Sequence, residues 1–155
     1  AMPTLASQSK IVITGAAGLV GQNLLLLLRE KGYRNMVAID RHAENLAIAV
    51  KLNPDLQTLC ADLAEAGEWQ QCFAGAEAVI QLHAQITALH DDAFERNNIA
   101  ATQQVLAACR QHQVPYLLHV SSSVLHSAAD DAYTRTKRAQ ENLVKQSGIS
   151  HCARP

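Results

Sequence analysis

The sequence predicts an α/β fold built on a parallel, doubly wound sheet with helices on both faces. Three observations predict it. Short apolar or β-branched runs alternate with helical stretches along the whole chain. A glycine-rich turn spanning Gly15, Gly18 and Gly21 joins the first such run to the first helix. No linker, internal repeat or low-complexity segment interrupts the alternation. The 155 residues suffice for one domain with a full core. The expected division is a tail over residues 1–9 and a single domain over 10–155.

Each element has its own signature. Residues 10–14, Lys-Ile-Val-Ile-Thr, form a β-branched run that ends at Gly15, hence a buried strand. Residues 18–31 read as a helix closed by Gly32. A second strand covers 36–39 and ends at Asp40. A short helix over 43–52 is stopped by Asn53-Pro54. A third strand covers 56–60, and a short helix follows over 68–73. Residues 78–82 make a fourth strand. Residues 91–113 read as a long helix with apolar Ile99, Val105, Leu106 and Cys109 on one face. A fifth strand over 116–120 runs into Ser121-Ser122-Ser123, and a last helix over 132–146 ends before Gly148. The leucine run 24–28 reads as a helix buried between the sheet and its neighbours.

Composition removes several classes of function. Hydrophobic content of 48% excludes a disordered chain. A net charge of −1 without a basic run gives no nucleic-acid or anionic-membrane surface, and 4% aromatics leave no base-stacking platform. The aliphatic run 24–28 is far too short to span a membrane. Cys60, Cys72, Cys109 and Cys152 lack Cys-x-x-Cys spacing, which suits a reduced, cytoplasmic protein. Cys60 and Cys109 read as small buried hydrophobes. The seven histidines show no metal-binding spacing, so no metal is expected.

The glycine turn suits a dinucleotide pyrophosphate. Gly15 permits the tight turn, Gly18 lets backbone approach phosphate, and Gly21 lets the helix pack against the strand. Backbone N–H groups at the helix start then face the pyrophosphate charge. Asp40 follows at the end of the second strand, roughly 20 residues past the turn, where a carboxylate bonds the ribose hydroxyls. Such a carboxylate repels the 2′-phosphate of NADP and favours NAD; Arg41 beside it is the residue type that accommodates that phosphate.

Tyr133 and Lys137 stand four apart, so on a helix they share one face. A tyrosine with a pKa of about 10 is a poor base at neutral pH. A cation one turn away stabilises its phenolate, which can then shuttle the proton of a substrate hydroxyl. Lys137 would also bond the nicotinamide ribose. A serine at the preceding strand end could orient the substrate oxygen, and Ser121, Ser122 and Ser123 are all candidates.

These residues together resemble the short-chain dehydrogenase/reductase superfamily, and most of all its extended branch, the NAD-dependent epimerase/dehydratase family. Thr14-Gly15-Ala16-Ala17-Gly18-Leu19-Val20-Gly21 looks like the family's Thr-Gly-(Ala/Gly)-x-Gly-x-(Ile/Val)-Gly. Asp40-Arg41 resembles its ribose-binding strand end, and Asp62-Leu63 its adenine-contacting pair. Val79-Ile80-Gln81-Leu82-His83-Ala84 is similar to the Val-(Ile/Val)-His-Leu-Ala-Ala strand that walls the cofactor, with His83 in place of a small Ala. Asn98-Ile99-Ala100-Ala101-Thr102 resembles the Asn-x-x-(Gly/Ala)-Thr of the next helix.

The resemblance implies a Rossmann-type NAD(P)-binding domain with NAD as cofactor. It implies Ser122 (with Ser123 close behind), Tyr133 and Lys137 as catalytic residues. It also implies cofactor contacts from Gly15, Ala17, Gly18, Leu19, Val20, Gly21, Asp40, Arg41, Asp62, Leu63, Leu82, His83, Ala84, Asn98, Ser121, Tyr133 and Lys137. The expected reaction is hydride exchange between nicotinamide and a small-molecule secondary alcohol or ketone, a nucleotide sugar among the candidates. Val124-Leu125-His126 stands where the family's sugar-nucleotide enzymes carry a longer segment with Val-Tyr-Gly. The family also implies a homodimer paired through the 91–113 and Tyr133 helices. His151-Cys152-Ala153-Arg154-Pro155 resembles its next strand and Arg-Pro, so the expectation is the cofactor-binding part of a longer protein without the C-terminal substrate region. A different reading is a dinucleotide-binding sensor or scaffold, which would need neither Tyr133, Lys137 nor Ser122.

Overall fold

The computed structural model describes residues 5–82, 99–120 and 151–154, together with 142, 143 and 145. Its elements run β1 (Lys10–Thr14), α1 (Leu19–Glu30), β2 (Met36–Asp40), α2 (Ala43–Leu52), β3 (Gln57–Cys60), a 3-10 helix (Glu68–Phe73), β4 (Ala76–Gln81), α3 (Ala101–Gln111), β5 (Leu117–Val120) and β6 (His151–Arg154). The strands form one sheet in the order β3-β2-β1-β4-β5-β6, and every pairing is parallel. The doubly wound parallel fold is the one the alternation of elements predicts. Strand order reverses between β1 and β4, the place where such sheets open a crevice at their carboxyl ends.

Alternation along the buried strands sends successive side chains to two cores. Val12, Val37, Ile39, Val79 and Leu117 face α3 and the 3-10 helix. Ile11, Ile13, Met36, Ala38 and Ile80 face α1 and α2, whose Leu25, Leu46 and Ala49 close that side. α1 ends in a Schellman motif: Tyr33 N–H donates to Leu28 O and Gly32 N–H to Arg29 O.

Two expectations are corrected. The leucine run is not wholly buried: Leu25 is enclosed and Leu24 and Leu28 pack against the core, but Leu26 and Leu27 are exposed, because a helix on one side of a sheet has an outer face. Cys60 is exposed rather than buried, since β3 is the edge strand; Cys109 on α3 is buried as expected. The short helix expected over 68–73 is present, as a 3-10 helix over Glu68–Phe73. The long helix is α-helical over Ala101–Gln111, preceded by a π-type turn at Ile99 and Ala100; the rest of its expected span lies outside the described residues. Asn142, Leu143 and Lys145 are helical, within the expected last helix.

Candidate functional site

The site begins where β1 hands over to α1. Gly15 has φ +75°, a left-handed conformation that costs glycine nothing and other residues dearly, and its N–H donates to Ile39 O at 2.9 Å. Gly18 is the N-cap of α1 and carries no side-chain cap. A Cβ at Gly18 would meet nothing within 4 Å, so this backbone stands open. Gly21 is the opposite case. A Cβ there would lie 2.4 Å from Ala16 O and 2.5 Å from Ala16 Cα, so only glycine lets α1 sit this close to the turn. The contact is with the turn itself rather than with the strand. Val20 points outward and is 64% exposed.

Asp40 ends β2 beside this turn and is nearly buried. Its Oδ2 accepts the Ala17 N–H at 3.1 Å and its Oδ1 accepts the His42 N–H at 3.0 Å. The carboxylate therefore ties the second strand to the glycine turn, a link the sequence did not announce. Each oxygen keeps acceptor capacity for a further donor. Gln22, one turn into α1, braces the same corner: its Nε2 donates to Asn45 O at 3.1 Å and Ala17 O at 3.4 Å. Arg41 follows Asp40 and is exposed.

Beyond β3, Ala61 N–H donates to Asp40 O at 3.0 Å, which brings the next residues alongside the β2 end. Asp62 Oδ1 accepts the Ala64 N–H at 3.0 Å, and Leu63 is buried in the core. Asp62 lines a cleft of about 350 Å³ with Cys60, Glu65 and Trp69. Across the reversal point, Leu82 N–H donates to Thr14 O at 2.9 Å, fixing the β4 exit against the glycine turn.

An open, uncapped helix start, a left-handed glycine and a carboxylate at the adjoining strand end form a set of donors and one acceptor that fits a dinucleotide. The N–H groups match its pyrophosphate and the carboxylate its ribose hydroxyls. Gly15, Ala17, Gly18, Leu19, Val20, Gly21, Asp40, Arg41, Asp62, Leu63 and Leu82 are all carried at the carboxyl ends of β1 to β4. His83, Ala84, Asn98, Ser121, Ser122, Ser123, Tyr133 and Lys137 lie outside the described residues. No group of three or more His, Cys, Asp or Glu side chains able to hold a metal occurs among the described residues.

The model of the NAD dependent epimerase/dehydratase family matches residues 11–151. The chain belongs to this family. A 2-alkyl-3-oxoalkanoate reductase of Stenotrophomonas maltophilia is 31% identical over 121 residues, covering 77% of this chain and 35% of that protein. The enzyme WbmH of Bordetella bronchiseptica, solved with NAD+, superposes with a TM-score of 0.82 at 21% identity, over 94% of this chain and 55% of that one. The UDP-glucuronic acid 4-epimerase of Bacillus cereus, solved with NAD, gives 0.81 at 23% identity, over 93% and 54%. The chain thus spans about a third of the length of the curated relatives it matches and about half of these solved structures.

One cluster at this end of the sheet escaped the sequence reading. Thr14, Gln81 and His119 occupy one row across β1, β4 and β5, each in register with the next and each essentially buried. They lie two residues past Val12, Val79 and Leu117, hence on the α3 face. Gln81 Nε2 donates to Thr102 Oγ1 of α3 at 2.9 Å, while Gln81 Oε1 has no partner. A buried, unpartnered carbonyl oxygen costs about 1–3 kcal/mol. The available signal was a polar residue at an inward position of two strands whose other inward residues are apolar.

Proposed function

We propose that the chain is the cofactor-binding part of an NAD-dependent oxidoreductase or epimerase acting on a small-molecule secondary alcohol or ketone. The observation that carries this reading is the Asp40 carboxylate bonded to the Ala17 N–H beside the uncapped start of α1. The N–H groups of that helix start would hold the pyrophosphate, and Asp40 the adenosine ribose. The nicotinamide, when bound, supplies the hydride acceptor and donor. Tyr133 takes and returns the proton of the substrate hydroxyl, Lys137 lowers the cost of its phenolate, and Ser122 orients the substrate oxygen. Reductase names among the sequence relatives and epimerase names among the structural ones support one shared half-reaction, hydride removal from a carbinol carbon. Pairing of two copies through the helices that carry Tyr133 and α3 belongs to the same reading.

The test is a fluorescence titration of the full protein with NADH and with NADPH. NADH binds at least about tenfold more tightly, because Asp40 repels a 2′-phosphate, and Asp40→Ala narrows that preference. Equal affinities in both proteins would overturn the cofactor assignment. Tyr133→Phe lowers hydride transfer by about 10²–10⁴; unchanged turnover would remove Tyr133 from the chemistry.

A further inference from the structure

The row Thr14–Gln81–His119 is set directly beneath the site. Thr14 immediately precedes Gly15 of the glycine turn, and Gln81 precedes Leu82. His119 is one residue short of the end of β5, after which the chain enters Ser121-Ser122-Ser123. Adjacent strands lie about 4.8 Å apart, so side chains in register on one face are neighbours. Gln81 is anchored at one end only: Thr102 holds its amide nitrogen, and its carbonyl oxygen, wholly buried, lacks a donor. An imidazole is the side chain next to it on β5, and an imidazole always carries at least one N–H.

We infer that Gln81 and His119 are a positioning pair. A hydrogen bond from the His119 imidazole to Gln81 Oε1, carried through one buried water, fixes the end of β4 against the end of β5 and thereby sets NAD affinity. A water in this place has polar partners at hand, because the row adds the Thr14 hydroxyl to the carboxamide and the imidazole. Anchoring through Thr102 extends the brace to α3, so three elements meet on one carboxamide. The inference rests on the cofactor reading above.

NADH titrations of Gln81→Leu and His119→Phe test it, with thermal midpoints recorded in parallel. Each variant weakens NADH binding about tenfold relative to the wild type. The exchanged double variant, Gln81→His with His119→Gln, rebuilds donor and acceptor with ends reversed and recovers affinity to within about threefold. Loss of packing alone would not be rescued this way. Folded single variants that bind NADH as the wild type does overturn the pair and leave the cofactor reading standing. A wild-type protein that fails to bind NADH overturns both. Should the apolar variants not fold, a high-resolution structure of the wild type with NADH decides. Gln81 Oε1 within about 3.2 Å of a His119 nitrogen, or of a water bonded to one, supports the pair. An oxygen facing only carbon overturns it.

Discussion

Gly21 has almost no freedom of substitution. A methyl group there would overlap three backbone atoms of Ala16, and backbone cannot swing aside as a side-chain tip can. Gly21→Ala is therefore expected to destabilise by about 1–3 kcal/mol and to abolish NADH binding, since α1 must move off the turn. Unfolding in urea and a fluorescence titration check the two parts; an unchanged midpoint would contradict the packing. Gly18 differs in kind, because its open side leaves room for a methyl group in the protein alone. Cys109 makes a different prediction. Burial pushes its thiol up to about 12, from an ordinary 9.0. The folded state keeps the proton where the unfolded chain has begun to lose it, so stability is full below about pH 9 and falls as pH climbs toward 12. Alkylation at pH 8 should label exposed Cys60 well before Cys109, with peptide mass mapping as the readout.

At the scale of elements, two helices end in the same way with different residues. α1 uses Gly32 in its Schellman motif. α3 repeats the pattern with Gln113 at φ +55°: Val114 N–H donates to Cys109 O and Gln113 N–H to Arg110 O. A side chain in the left-handed region is strained, and glycine relieves the strain while loosening the unfolded chain. Gln113→Gly should raise stability by about 0.5–1 kcal/mol, measured as a higher urea midpoint at unchanged slope. The boundaries of these elements were readable. α2 covers the expected residues and ends where Asn53 and Pro54 predict, and the β-branched runs gave β1 and β2 to within a residue. The burial of individual leucines and of Cys60 was not readable. Helical spacing shows that a segment has two faces, while the position of each strand in the sheet decides which faces are covered.

The whole molecule explains why residues distant in sequence share one site. β1 and β4 are central neighbours, separated in sequence by two β-α passages, and their ends open on opposite sides of the point where strand order reverses. The glycine turn, Asp40 and Leu82 meet there because parallel strands put all their carboxyl ends on one side. The bonds from Gly15 N–H to Ile39 O, from Ala61 N–H to Asp40 O and from Leu82 N–H to Thr14 O stitch that edge together. Among the described residues, no helix is long and apolar enough to cross a membrane.

The sequence by itself determined the class of fold, the order of the described elements, and the placing of the glycine turn and Asp40 at neighbouring strand ends. Those depend on local chemistry: glycines where a turn or close approach demands them, apolar periodicity, and a carboxylate after a strand. Only the tertiary structure decided that Asp40 grips the Ala17 N–H, that Gly21 rests on Ala16, and that Gln81 lies beside His119. Such pairings depend on strand order and register, and in a parallel sheet these are set by crossovers that bring remote segments together. A polar residue inside an apolar strand announces that it needs a partner; the register names which one.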